Sequence, residues 1–244
     1  MPPAIPPRSP LPLRPVPVAA GAATERWALG ALLAGISCFG VLIVQYVGTY
    51  AAAMFLAPLP VLVLLRPRAF AGGLRQDFLL LVYPALAIAS SLWSVTPGWT
   101  LWASTELLGT MITGIAVAHC IPFRSVLSGT LLALILVALG SLAVNADAGG
   151  GALAHGAGLF GSKNQLGTAV AFLMMIAYVV ATNRQASGPL LRFGALISLP
   201  LAAAMVIRSQ SLGAVLCLLI ALAALYILRW IGRRQPKARR ALLT

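Results

Sequence analysis

The chain has 244 residues, 60% of them hydrophobic and only 9% charged, and its 17 basic residues face four acidic ones for a net charge of +13. Soluble globular domains carry about 25% charged residues and about half apolar ones, so this composition excludes a water-soluble fold and points to a chain that resides mostly in lipid. The basic residues fall in short gaps between apolar runs, not on one solvated face, so the charge reads as topological and excludes nucleic acid as a partner.

Residues 1–24 carry eight prolines between Pro2 and Pro17 and no apolar stretch long enough for a signal-peptide core, and they read as a disordered cytoplasmic tail. A spanning helix needs about 20 largely apolar residues. On that criterion eight segments qualify: Trp27 to Val47, Thr49 to Leu65, Phe78 to Leu92, Leu101 to Ile121, Ser125 to Asn145, Gln165 to Asn183, Leu190 to Ile207 and Leu212 to Ile231. Pro58, Pro60 and Pro84 are expected to kink the second and third. The expectation is an all-α polytopic transmembrane helix bundle of about eight spans over residues 25–231, followed by a basic cytoplasmic tail at 232–244. With the N-terminus inside, fifteen of the seventeen basic residues are cytosolic, so the positive-inside rule selects N-in and C-in. Cys38, Cys120 and Cys217 lie within apolar runs and are expected as small hydrophobic residues, with no metal site or disulfide framework.

Lys163 and Arg208 are the two exceptions to the charge bias, and each borders a helix end on the expected external side. A cation at membrane depth costs a few kcal/mol, about 2.5 to 3.5 at the centre and less near an interface, so compensation is expected. A bound anion supplies it. So does snorkelling to lipid headgroups, or pairing with Asp147 or Glu106. Glu106, about two turns into the fourth span, is the one acidic residue inside a span and reads either as a mate for one of these cations or as a pocket residue. The segment before Lys163 holds six glycines from Gly149 to Gly161, and Ser162, Lys163, Asn164 and Gln165 open the sixth span. Exposed N–H groups at a helix N-terminus beside a cation suit an anion, although glycine-rich loops are also simply flexible, and no Walker pattern is present. His155, in the same loop, is either a general base or a solvated loop histidine, and His119 is read as structural.

The string Gly158-Leu159-Phe160-Gly161-Ser162-Lys163-Asn164-Gln165-Leu166-Gly167 resembles the loop-to-helix signature of the O-antigen ligase and exopolysaccharide polymerase superfamily, Gly-x-Phe-x-x-Lys/Asn-Asn-x-x-Gly. Ser91-Leu92-Trp93-Ser94-Val95-Thr96-Pro97 is similar to the family's Ser-x-Trp-Ser-x-x-Pro loop, and Arg208-Ser209-Gln210-Ser211 to its later Arg/Ser turn, so that the resemblance covers roughly residues 90–231. It implies a metal-independent glycosyltransferase, without cofactor, of the bacterial inner membrane. Such an enzyme passes an oligosaccharide from a polyprenyl-diphosphate carrier to an acceptor glycan or lipid-core sugar at the periplasmic face, as ligase or polymerase. On that implication Arg208 and Lys163 clamp the diphosphate. Asn164, Gln165, Ser94, Ser211 and Glu106 contact substrate, Trp93 stacks on sugar or anchors at the interface, and His155 is the remaining imidazole.

One departure stands out. The family has more spans and, beyond the turn matching Arg208, a large external loop with a histidine and a further arginine, for which these residues have no counterpart. The chain therefore reads as a fragment, as a short member that takes its acceptor half from a membrane partner, or as an inactive remnant. A small lipid or polysaccharide transport protein and a structural assembly subunit are the other classes considered. The former predicts polar groups at mid-membrane, whereas the polar candidates here gather at helix ends.

Overall fold

A computed structural model of the chain describes residues 20–147, 158–160, 162–183 and 188–234. Among them there is no strand and nearly every residue is helical. In chain order the helices are α1 (Ala20–Leu42), α2 (Val44–Val47), α3 (Thr49–Leu56), α4 (Pro58–Leu65), α5 (Pro67–Gln76), α6 (Val82–Ala89), α7 (Pro97–Cys120), α8 (Phe123–Asp147), α9 (Lys163–Thr182), α10 (Pro189–Ser209) and α11 (Leu212–Arg234), with short 3₁₀ turns on either side of α6.

Each of the eight apolar segments is helical, but α7, α8, α9 and α10 are the four helices long and apolar enough to cross a bilayer. The bent pair Tyr50–Leu65 and Pro67–Gln76 makes five if counted as one broken span. The remaining apolar stretches, Trp27–Leu42, Phe78–Leu92 and Leu212–Leu228, are shorter. These are the apolar parts of their helices among the described residues; α1 and α11 themselves run for 23 residues each, about 35 Å at 1.5 Å per residue. The chain is a multi-pass membrane protein with four or five such crossing helices, where composition alone suggests about eight.

Proline acts elsewhere than expected. Ala57 keeps helical dihedrals ahead of Pro58, so α3 runs on into α4. The sharp break comes at Arg66, whose φ of −139° and ψ of 56° lie outside the α region that a following proline disfavours, and there the chain turns by 112° into α5. Helix α5 is amphipathic: Ala69 and Phe70 pack against the core, while Arg68 and Arg75 are exposed. Asp77, just past its end, meets His119 Nε2 at 2.8 Å. The pair ties the end of α5 to the last turn of α7.

Two packed halves meet along α1. Helix α7 packs against α3 to α6, while α9 packs against α8, α10 and α11; α1 joins them by lying against both α3 and α8. Helices α1 and α8 cross closely, with the backbones of Gly35 and Gly129 against each other. Small residues at such a crossing let two backbones approach without lipid between them. The largest core lies between α8, α9 and α10, around Leu131, Leu134, Leu166, Leu173, Val180 and Met205. Large apolar side chains on α6, α7, α10 and α11 point outward, as a bundle solvated by hydrocarbon requires.

The alternating helix directions give the bundle two distinct ends. The start of α8 meets the start of α1 and the end of α7, since Gly30 abuts Ile121 and Ser125. The end of α8 meets the approach to α9, where the Ser141 hydroxyl accepts from the Leu159 amide at 3.1 Å. Arg66, Arg68, Arg75, Arg124 and Arg192 therefore share one end, and Lys163 and Arg208 occupy the other.

Candidate site at the start of α9

Ser162 has extended backbone, and its hydroxyl accepts from the Gln165 amide at 3.3 Å, so it caps α9. Lys163 is thus the first helical residue, and Lys163, Asn164 and Gln165 are all exposed. A cation there is locally unfavourable, because the N-terminal end of a helix carries a partial positive charge of its own, an effect of about 0.3 to 1 kcal/mol. That penalty is what an anion at this point relieves.

Arg208 stands in the last turn of α10, exposed, where the dipole favours it. The helix ends at Gln210, the one non-glycine residue with positive φ (48°) among the described residues. The buried Ser209 hydroxyl donates to Val206 O at 2.8 Å, and Ser211 opens α11 by accepting from the Ala214 amide at 3.3 Å. The same Ser211 hydroxyl donates to Asn164 Oδ1 at 3.2 Å. The structure thus brings the start of α9 against the turn that follows Arg208, two segments that the sequence separates by more than forty residues.

Gly167 permits this approach: a Cβ there would lie 2.7 Å from Ser211 Cβ and 2.9 Å from Ala214 Cβ. Gly167→Leu is expected to push the first two turns of α9 away from the α10–α11 turn. Cysteines placed at 164 and 211, in a chain whose three native cysteines are replaced, are expected to join through a short bifunctional reagent. The Leu variant is expected to lose most of that cross-link; an unchanged yield would show that the contact does not depend on Gly167.

Apolar grooves run along both sides of α9 from this point. One, of about 570 Å³, lies against α11 and is lined by Asn164, Thr168, Phe172, Ser211, Ala214 and Leu218. The other, of about 540 Å³, lies against α1 and α8 and is lined by Val41, Thr130, Phe160, Asn164, Gln165 and Phe172. Asn164, Thr168 and Phe172 face both. The polar residues at this helix end that line the grooves are Asn164 and Gln165; Lys163 and Arg208 line neither.

The other candidates are placed less centrally. Glu106 is exposed on α7 and lines a separate groove of about 390 Å³, which shares Val41 and Val44 with the α9 groove, so Glu106 lies across the end of α1 from Gln165. Among the described residues it forms no ion pair with Lys163 or Arg208. Ser94 bonds Thr100 at 2.6 Å and accepts from the Thr96 amide, shaping the turn before α7, while Trp93 and Trp99 are 71% and 73% exposed. His155 and Gly149 to Gly156 lie outside the described residues. The Asp77–His119 pair is the polar feature that composition did not single out. Its signal was the antiparallel order of the third and fourth apolar segments, which brings their arginine-side ends together.

Comparison of the chain with protein-family models, with curated proteins and with solved structures finds no match.

Proposed function

We propose that the protein is a membrane glycan transferase of the O-antigen ligase or exopolysaccharide polymerase type. It receives a polyprenyl-diphosphate-linked oligosaccharide at the start of α9. Arg208 and Lys163 hold the diphosphate and stabilise it as leaving group, Asn164 and Gln165 bond phosphate or sugar oxygens, and Ser211 fixes Asn164. The prenyl chain occupies an apolar groove beside α9, while Glu106, Trp93 and Ser94 contact the glycan from the α7 side. His155 is the candidate base for the acceptor. The carrier's charge develops on the bridging phosphate oxygen in the transition state, and fixed cations in a low-dielectric setting act on that charge.

The single observation that carries this reading is the Ser211–Asn164 contact, which joins the two segments that hold the exceptional cations. Beside it stand the apolar grooves and the segregation of the other described arginines at the far end of the bundle. On this reading α1, the α3–α4 segment, α6 and α11 also cross, with tilt or local thinning of the bilayer, giving eight spans with both termini cytosolic. The membrane is the bacterial inner membrane and the site faces the periplasm.

The test is complementation of a bacterial strain lacking its own ligase or polymerase, with glycan banding on a gel as readout. Restored banding supports the assignment. Absence of banding with the protein inserted, both alone and with the genes encoded beside it, counts against it.

A further inference from the structure

Helix α5 lies across the end of α7. Cys120 Sγ stands 4.0 Å from the Arg66 carbonyl oxygen, a Cβ on Gly73 would meet the His119 ring, and Asp77 bonds His119, so α5 meets the last two residues of α7 from one cap to the other. Helix α7 has 24 residues and is long and apolar enough to cross a bilayer. At about 1.5 Å per residue it reaches about 36 Å, a little more than a hydrocarbon layer of about 30 Å, so its end stands at headgroup level. The residues that flank α5 fix the same depth from both sides. Leu64 and Leu65 before it, and Phe78, Leu79 and Leu80 after it, are exposed and apolar, and they require hydrocarbon within a residue or two of each end.

The helix is divided lengthwise. Ala69 and Phe70 pack on the core and Gly73 is buried against His119, while Arg68, Ala71, Gly72, Arg75 and Gln76 are exposed. Arg68 and Arg75 stand two turns apart on one side, with Gly72 between them, where a Cβ would meet nothing within 4 Å. Neither arginine forms an ion pair among the described residues. We infer that α5 is an interfacial helix lying in the headgroup layer, with Arg68 and Arg75 on the phosphates of acidic phospholipids. The bent pair is then a span followed by a surface helix, not one broken span. An amphipathic helix in the plane of the interface, with cations along its polar face, is attracted to acidic lipid in this way. The surrounding charge supports the acidic class. Helix α5 packs chiefly on α7 and α4, of which α4 has no acidic residue. Glu106 of α7 lies about 20 Å back along that helix from His119, and Asp77 is engaged by His119. Glu25 stands at the same end, on α1 beside Arg26; counting it, this end still sets Arg26, Arg66, Arg68, Arg75, Arg124 and Arg192 against Glu25 and Asp77. The inference is independent of the glycan-transfer reading and concerns the other end of the helices.

The experiment uses the full chain with Cys38, Cys120 and Cys217 changed to Ala and Gly72→Cys carrying a nitrobenzoxadiazole fluorophore, in vesicles of equal parts phosphatidylcholine and phosphatidylglycerol. A nitroxide quencher is placed either on the choline headgroup or at carbon 12 of an acyl chain. The headgroup quencher is expected to act several-fold more strongly. Stronger quenching from carbon 12 would put the helix inside the hydrocarbon, and quenching from neither would put it in water or beneath another protein; each result overturns the inference. The nitroxide is then carried at carbon 5 of one lipid or the other, so that surface charge is the same in both samples. Labelled phosphatidylglycerol is expected to quench about fivefold more than labelled phosphatidylcholine, the factor for one arginine at an anionic surface. The Arg68→Gln, Arg75→Gln double variant is expected to equalise the two lipids while the headgroup depth stays the same. Equal quenching with both arginines present, or a preference that survives the double substitution, overturns the lipid contact. If the cysteine-free chain does not fold, Gly72→Trp in the native chain, read as the increment over native tryptophan emission, gives the same comparisons.

Discussion

Alanine in place of Arg208 or Lys163 is expected to lower glycan transfer about 100-fold or more, the usual cost of removing one fixed donor from a developing oxyanion. Insertion and melting are expected to stay as in the native chain. Both side chains are exposed and neither forms an ion pair among the described residues, so their loss leaves no buried charge behind. For Lys163 the change even relieves the helix, since alanine suits the first turn of α9 and removes a cation from its positive end. Arg208→Ala gives up a favourable interaction with the end of α10, worth about 0.3 to 1 kcal/mol. Lys163→Arg and Arg208→Lys keep the charge and are expected to keep part of the activity. The losses are expected to be larger for Arg208→Lys if the arginine grips the phosphate through two parallel bonds. Transfer that continues unchanged in both alanine variants would remove the clamp.

The second large effect is structural. Gly129→Val is expected to prevent assembly of the bundle or to lower its melting temperature by about 10 °C, from an overpacking cost of roughly 3 kcal/mol. A Cβ on Gly129 would collide with Ala31 O and stand 2.7 Å from Gly35 N, backbone atoms that no rotamer change moves aside. Helices α1 and α8 must then separate, and with them the two halves that α1 joins. Gly114→Val is the matched control, because a Cβ there meets nothing within 4 Å. Equal melting of the two variants would mean that the α1–α8 crossing is looser than described.

Much of this was legible before any coordinates. Apolar runs marked every helix that crosses, and the two cations that break the charge bias marked one end of the bundle. What sequence could not supply was length within the membrane. The segment Phe78–Leu92 is apolar up to Ala89 but ends in a 3₁₀ turn, where the Ser90 and Ser91 hydroxyls bond Ala87 O and Ile88 O and compete with the helical ladder. Helix α5 was equally hidden. Its residues fall in the gap between the second and third apolar segments, and the contacts that hold it, Phe70 against the core and Asp77 with His119, join positions far apart in sequence. At the site, Asn164 and Ser211 could be named from motifs, but their contact depends on the register of α9 against α11. That register is set by Gly167 at a distance no local pattern encodes.

The most direct measurement is the binding of polyprenyl diphosphate, without glycan, to the full chain in detergent, compared with the Lys163→Ala, Arg208→Ala double variant. This readout needs neither acceptor nor partner. Saturable binding that weakens about 100-fold or more in the double variant is the expected result, since each charge-assisted bond is worth about 1.5 to 3 kcal/mol. Equal affinity in the two proteins would contradict a diphosphate site at the start of α9.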